Sequence, residues 1–141
     1  MNVLIDTCII IDALQNRQPF AEDAQKLFLH AANHKFNGCI TAKSSTDIYY
    51  LSHRYTHDDR ASREILNTLF TLFELLNTDG TDCRRALASS VSDYEDAVMI
   101  ETALRERMDY IVTRNTRDYT KSSVPVCTPA EFLALLSSAI E

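Results

Sequence analysis

Five aspartates in this chain have positions suited to binding a metal ion. They follow short apolar segments or begin a predicted helix, and they are Asp6, Asp47, Asp93, Asp96 and Asp118. Carboxylate oxygens are hard ligands, the kind that Mg²⁺ and Mn²⁺ prefer in proteins. Clustered carboxylates repel one another unless cations neutralise them, so their convergence predicts a bound Mg²⁺ or Mn²⁺ ion. Such an ion can hold phosphate oxygens and lower the pKa of a bound water.

Three of these acids have an equally simple structural interpretation. Asp6 could cap the helix that follows the first apolar segment. Asp47 has the spacing of a capping box with Ser44, and Asp118 could be an ordinary turn residue. Each signal is therefore weak alone, and the metal hypothesis depends on whether the fold brings the acids together.

The other two acids lie at the start of the predicted helix Asp93–Met108. Ser92 and Glu95 have the spacing of a capping box, with Ser92 as the cap. Asp93 also suits a helix N-terminus, whose dipole attracts negative charge. Asp96 lies too far into the helix to cap it and shares a face with apolar residues. Its carboxylate is costly to bury unless a cation or a partner such as arginine meets it.

Short apolar segments alternate with helical patterns along the chain. The predicted strands are Asn2–Ile5, Cys39–Ala42, Glu74–Thr78, Tyr110–Thr113 and Pro125–Cys127. Helices are predicted after the first strand, from Pro19, after the second strand, and over Arg60–Phe73, Arg84–Ser89, Asp93–Met108 and from Thr128 onward. This alternation predicts an α/β fold, a three-layer α/β/α sandwich around a central parallel sheet of four to five strands. Ligands bind outside the carboxyl ends of such strands, where the five aspartates are expected to meet.

The totals limit the classes of function. A chain of 141 residues predicts one domain over residues 1–141, with no membrane-spanning segment and a cytoplasmic location. With 20 acidic and 14 basic residues the net charge is -6, so a phosphate substrate would need cations to approach. The two glycines, Gly38 and Gly80, cannot build a phosphate-binding glycine loop.

Several motifs together resemble PIN-domain proteins, notably VapC-like toxins of bacterial toxin–antitoxin pairs. The motifs cover residues Asn2–Asp12, Ser92–Ala97, Asp109–Tyr119 and Val124–Phe132 and occur in the family's order. The resemblance implies a metal-dependent ribonuclease. The family's first three acids fall on Asp6, Asp47 and Asp96. The fourth position, often Asp, holds Asn115, with Asp118 three residues later.

The resulting hypothesis is a Mg²⁺- or Mn²⁺-dependent RNA endonuclease. Asp6 and Asp96 would bind the metal directly, and Asp47, Asp93 and Asp118 would bind it directly or through water. Thr113 and Asn115 would orient the attacking water or a phosphate oxygen. The candidate RNA-backbone contacts are Arg54, Arg114, Arg117 and Lys121. The resemblance also implies a cognate antitoxin partner, and a homodimer is a plausible assembly.

Two alternatives stay open. Because Asn115 brings no charge, the chain could be a catalytically degenerate module that acts through protein or RNA binding. A phosphatase or phospho-acceptor with Asp6 as nucleophile is a third interpretation. Phosphatases of the haloacid-dehalogenase kind have a second Asp two residues on, where this chain has Cys8.

Overall fold

The computed structural model describes residues 1–140, and within that range five strands form one sheet. The strands are β1 (Asn2–Ile5), β2 (Asn37–Thr41), β3 (Glu74–Leu76), β4 (Tyr110–Val112) and β5 (Val126–Cys127). Every neighbouring pair is parallel, and the order across the sheet is β3-β2-β1-β4-β5. The predicted parallel sheet is confirmed, with its first strand at the centre.

Seven α-helices connect or follow these strands in the described part of the chain. They are α1 (Thr7–Leu14), α2 (Ala21–Ala32), α3 (Ala42–Thr56), α4 (Asp59–Leu72), α5 (Gly80–Leu87), α6 (Tyr94–Arg105) and α7 (Pro129–Ile140), with a 3₁₀ helix at Thr116–Tyr119. Among residues 1–140, none of these helices combines the length and the apolar character needed to cross a membrane.

The strand β1 contributes side chains to two separate cores. Val3 and Ile5 pack into a core with residues of α1, α2, α3, α4 and α7. Leu4, between them, packs into a second core with Met99 and Ile100 of α6. Successive side chains of a strand point to opposite faces of the sheet, so helices cover both faces. The three-layer α/β/α sandwich is confirmed.

Two predicted boundaries, the end of β2 and the start of α5, were wrong, and capping residues explain both. The second strand ends at Thr41, because the Thr41 hydroxyl accepts a hydrogen bond from the Ser44 amide (3.1 Å) and starts α3 at Ala42. The proposed capping box of Ser44 and Asp47 is therefore wrong. The helix α5 begins at Gly80 rather than Arg84, since Asp79 caps it in a capping box with residue 82.

The helix α6 also differs from its prediction at both ends. Its cap is Asp93, whose Oδ1 accepts a hydrogen bond from the Asp96 amide at 3.0 Å. The predicted capping box of Ser92 and Glu95 is wrong, because Asp93 already provides the cap one residue later. The helix ends at Arg105 because Arg107 adopts a left-handed conformation, which a helix cannot continue.

The strand order places the ends of β1 and β4 side by side. The chain builds β2 and β3 on one side of β1 and then crosses to place β4 and β5 on the other. Ile5 pairs with Val112, and the Asp6 amide donates to the Val112 carbonyl at 3.0 Å. Crevices form where strand order reverses in this way, and they are the usual ligand sites of open parallel sheets.

Candidate metal centre

Asp6 occupies the cap position of α1, but its side chain makes no capping hydrogen bond. Its Oδ2 instead accepts a hydrogen bond from the Thr113 hydroxyl, at 2.7 Å, across the junction between β1 and β4. The Cys8 thiol lies 3.6 Å from the same oxygen. The carboxylate is thus held toward the end of β4, and the simple helix-cap interpretation of Asp6 lacks the bond it requires.

Tyr119 joins Asp6 to Asp96. Its ring is buried, and its hydroxyl lies 3.2 Å from Asp96 Oδ1 and 3.5 Å from Asp6 Oδ2. A tyrosine hydroxyl has one proton to donate, so it can serve only one of two ionised carboxylates at a time. The two acids that were expected to bind metal directly therefore lie on either side of a single hydroxyl.

The surroundings of this pair disfavour negative charge. Burial raises the pKa of Asp96 to about 6, with further contributions from the charges of Asp93, Asp6 and Asp118. Burial likewise raises the pKa of Asp6, and hydrogen bonds from Thr113 and Cys8 offset only part of that effect. Carboxylates in such a position are relieved by a proton or by a cation.

Asp47 belongs to a neighbouring group centred on Lys43. Lys43 Nζ lies 2.6 Å from Asp47 Oδ2 and 2.9 Å from Glu95 Oε1. Burial alone would lower the pKa of Lys43, but the hydrogen bonds that its ammonium group donates to the two acids outweigh burial and raise the pKa. The charge of Glu95 also contributes to the raised pKa of Asp6. Asp47 thus connects to the Asp6 side through Lys43 and Glu95.

The loop after β4 positions the remaining predicted site residues. The buried Thr113 hydroxyl donates to Asp6 and accepts a hydrogen bond from the Asn115 amide at 3.2 Å, which shapes the loop. The Asn115 side chain is exposed. Asp118, in the 3₁₀ helix, is exposed and near enough to raise the pKa of Asp96, as is Asp93. The charges of Asp118 and Asp93 thus act on Asp96 without forming a compact cluster of acids with it.

The four candidate RNA contacts have different surroundings. Arg117 and Lys121 line a small cavity of about 70 Å³ together with Asp118. Arg54 lies seven residues beyond Asp47 on α3, about 10 Å along the helix axis. Arg114 is partly buried, at 26% exposure, with Nε 2.6 Å from Oδ2 of the buried Asp12. Of the four, Arg117 and Lys121 lie beside the acids, and Arg114 has a structural partner.

Three residues of this region were not identified from sequence as site residues. Glu95 was interpreted as a capping residue, Tyr119 as the end of a motif, and Lys43 received no role. The available signal was that Glu95 and Tyr119 adjoin Asp96 and Asp118 in the sequence, and that Lys43 lies four residues before Asp47. A buried tyrosine hydroxyl usually finds a hydrogen-bond partner in any core, so the sequence alone could not distinguish Tyr119 from an ordinary core residue.

The donor set suits a hard divalent ion that keeps much of its water. Across residues 1–140, no three Asp, Glu, His or Cys side chains lie together so that they could hold a metal ion. Mg²⁺ is commonly held by one or two carboxylates, with waters and substrate phosphates completing its octahedron. Two adjacent, partly buried carboxylates that lack a basic ion-pair partner in the described residues match that requirement. Asp6 and Asp96 are the residues that would hold the ion.

A match to a family profile defines the class of protein. A family profile described as PIN domain matches residues 2–117, most of the chain. The chain belongs to the PIN-domain family. No curated protein sequence matched it.

Solved structures share the fold at low sequence identity. A toxin–antitoxin complex from Klebsiella pneumoniae is 23% identical, with a TM-score of 0.65 over 90% of this chain and 97% of its own. DNA-bound VapBC from Salmonella typhimurium is 18% identical, with a TM-score of 0.67 over 92% and 98%. FitAcB from Neisseria gonorrhoeae is 16% identical, with a TM-score of 0.67 over 91% and 98%. At these identities the similarity concerns the fold.

Proposed function

We propose that this PIN-domain protein is a Mg²⁺- or Mn²⁺-dependent endoribonuclease that hydrolyses RNA phosphodiester bonds. The observation that carries the proposal is the Asp6–Asp96 pair around the Tyr119 hydroxyl, at the point where strand order reverses. Partly buried carboxylates whose pKa values are raised by burial and by nearby negative charge are candidates for functional sites. Their proximity supports an ion shared between them.

Different residues of the chain would bind the ion, orient its ligands and orient the substrate. When bound, the ion would supply a positive charge for phosphate oxygens and an activated water. Asp6, oriented by Thr113, and Asp96, oriented by Tyr119, would be direct ligands. The exposed side-chain amide of Asn115 would orient a water or a phosphate oxygen.

The outer acids and bases would complete the site. Asp93 and Asp118 would bind the ion through water, since both lie close enough to affect the pKa of Asp96. Asp47 would act at longer range, because its carboxylate is bonded to Lys43. Arg117 and Lys121 are the better candidates for RNA-backbone contacts, because they flank Asp118. Arg54 and Arg114 remain candidates with weaker support.

We further propose that the chain acts as the toxin of a toxin–antitoxin pair in the cytoplasm, as one PIN domain over residues 1–141. Its structural neighbours include complexes titled as toxin–antitoxin or VapBC assemblies. Helices α3 and α4 expose aromatic side chains that a protein partner could cover, with Tyr50 60%, Tyr55 64% and Phe70 41% exposed. An antitoxin and a second copy of the chain are the partners proposed.

The test compares RNA cleavage by the purified protein with that of Asp6→Asn and Asp96→Asn. Cleavage should require Mg²⁺ or Mn²⁺, stop with chelator, and resume when the ion is restored. Each substitution should lower the rate at least ~10²-fold, the scale of losing one strong electrostatic stabiliser. Glu64→Gln, an exposed acid of α4, is the matched control and should leave the rate unchanged. Cleavage that persists through chelation and both Asn substitutions would rule out the proposal.

A second candidate is a binding module with little catalysis. Two observations favour it: Asn115 stands at the family's fourth acidic position, and Asp47 is already paired with Lys43. Mn²⁺ raises the melting temperature of a protein whose native state binds it. No Mn²⁺-induced rise, together with no cleavage, would favour the binding module over the ribonuclease.

A further inference from the structure

Lys43 occupies a position between two elements of the acidic edge. Its Nζ lies 2.6 Å from Asp47 on its own helix and 2.9 Å from Glu95 at the start of α6. The Lys43 and Asp47 side chains are each 37% exposed, and Glu95 is 60% exposed. The Lys43 ammonium group therefore bridges α3 and α6 where both begin.

This arrangement differs from an ordinary helical ion pair in the same chain. Lys26 and Glu22 also have i,i+4 spacing, but they lie 3.3 Å apart at 52% and 78% exposure. Exposed pairs of that kind contribute little to stability or specificity. Lys43 instead contacts two carboxylates from different elements, and one of them, Glu95, directly precedes Asp96 on α6.

The lysine nitrogen stands where a cation would otherwise be expected. An ion at the Nζ position would lie 2.6 and 2.9 Å from the two carboxylate oxygens. Mg²⁺ binds carboxylate oxygens at about 2.0–2.1 Å, so a shift of less than about 1 Å would bring both into its shell. The ammonium group and a divalent ion are thus alternative ways of neutralising Asp47 and Glu95.

We propose that Lys43 is a built-in second cation of the metal centre, so that the chain binds one divalent ion, at Asp6 and Asp96, instead of two. This inference rests on the metal site of the proposed function and states how many ions that site takes. Sites with two ions stabilise both the attacking and the leaving oxygen of a phosphodiester. Here the fixed ammonium group supplies the second positive charge.

The proposal is tested by counting bound Mn²⁺ from the free-ion signal in electron paramagnetic resonance. The wild-type chain should bind one Mn²⁺ ion. Lys43→Met keeps most of the side-chain length but removes the charge, and should bind two. Lys43→Arg keeps the charge and should bind one, and Lys26→Met, which breaks the exposed i,i+4 pair, should also bind one. Circular dichroism confirms that each variant is folded.

The count of ions does not depend on RNA cleavage, so the two proposals can fail separately. Two ions in the wild-type chain, or one ion in folded Lys43→Met, would overturn the role of Lys43. Absence of Mn²⁺ binding in all four proteins would overturn both this inference and the metal site. Counts of one and two without any RNA cleavage would support the role of Lys43 while overturning the ribonuclease.

Discussion

Asp96 shows a charge conflict, because it is partly buried and lies near other carboxylates. Its pKa rises from an ordinary value of 3.8 to about 6, first because it is buried and then because of Asp93, Asp6 and Asp118. A folded state that binds the proton more tightly than the unfolded state is most stable at low pH. Its stability from this group falls as the pH rises from about 4 to about 6.

Because the ionised Asp96 destabilises the folded state, Asp96→Asn should raise the free energy of unfolding at pH 7 in the presence of chelator. A shift of about two pKa units corresponds to about 3 kcal/mol, and partial exposure reduces the expected gain to about 1–2 kcal/mol. Urea denaturation at pH 4.5 and pH 7 measures it, with Glu64→Gln as control. A variant that is less stable than the wild type at pH 7 would contradict the assigned charge conflict.

The effect of the Tyr119 hydroxyl on Asp96 can also be measured. Its hydrogen bond favours the ionised form of Asp96, so Tyr119→Phe should raise the pKa of that carboxyl further. The carboxyl-carbon chemical shift in an NMR pH titration reports the change. Tyr55→Phe, at an exposed position, is the control. An unchanged Asp96 titration would show that the hydroxyl does not hold the carboxylate in solution.

Among the elements, α1 and the loop after β4 are joined by a buried ion pair. Asp12 of α1 is completely buried, and Arg114 Nε lies 2.6 Å from its Oδ2. The guanidinium group also lies over the Phe20 ring, 4.1 Å from its centroid. Because Arg114 lies between Thr113 and Asn115, this contact anchors the loop that orients Asp6.

Removal of the arginine should therefore be costly. Arg114→Leu leaves the Asp12 carboxylate buried without its partner, and we expect a loss of about 3–5 kcal/mol in unfolding free energy. The double variant Asp12→Leu with Arg114→Leu should recover much of that loss, because no buried charge remains. Chemical denaturation measures both, with Arg54→Leu as an exposed control within about 0.5 kcal/mol. If Arg114 served mainly RNA, its substitution would reduce RNA binding and leave stability unchanged.

For the whole molecule, net charge opposes the proposed substrate. The chain carries a net charge of -6, and RNA is a polyanion, so approach to the acidic edge depends on bound cations. We expect affinity for a labelled single-stranded RNA to fall at least ~10-fold when Ca²⁺ is replaced by chelator at matched ionic strength. Fluorescence anisotropy measures the change in affinity. Ca²⁺ replaces Mg²⁺ in this experiment because both ions prefer oxygen ligands. Equal affinity in both conditions would argue for binding through the basic residues alone.

The amino-acid sequence by itself determined where most strands and helices lie and which acids follow the strands. Apolar runs and helical spacing depend on neighbouring residues, so the strands β1 and β4 and the acids after them could be located before the structure was known. The errors at Ser92, Glu95 and Ser44 arose because several polar residues near a helix start compete to cap it. Only the backbone conformation decides which one accepts the bond.

Only the tertiary structure decided which side chains meet. Strand order depends on contacts between residues far apart in sequence, and it placed the end of β1 beside the end of β4. The tertiary structure also places the Tyr119 hydroxyl between Asp6 and Asp96. It pairs Arg114 with the buried Asp12 and places Lys43 between Asp47 and Glu95. Such partners are chosen by packing and charge in three dimensions, to which spacing along the chain is an incomplete guide.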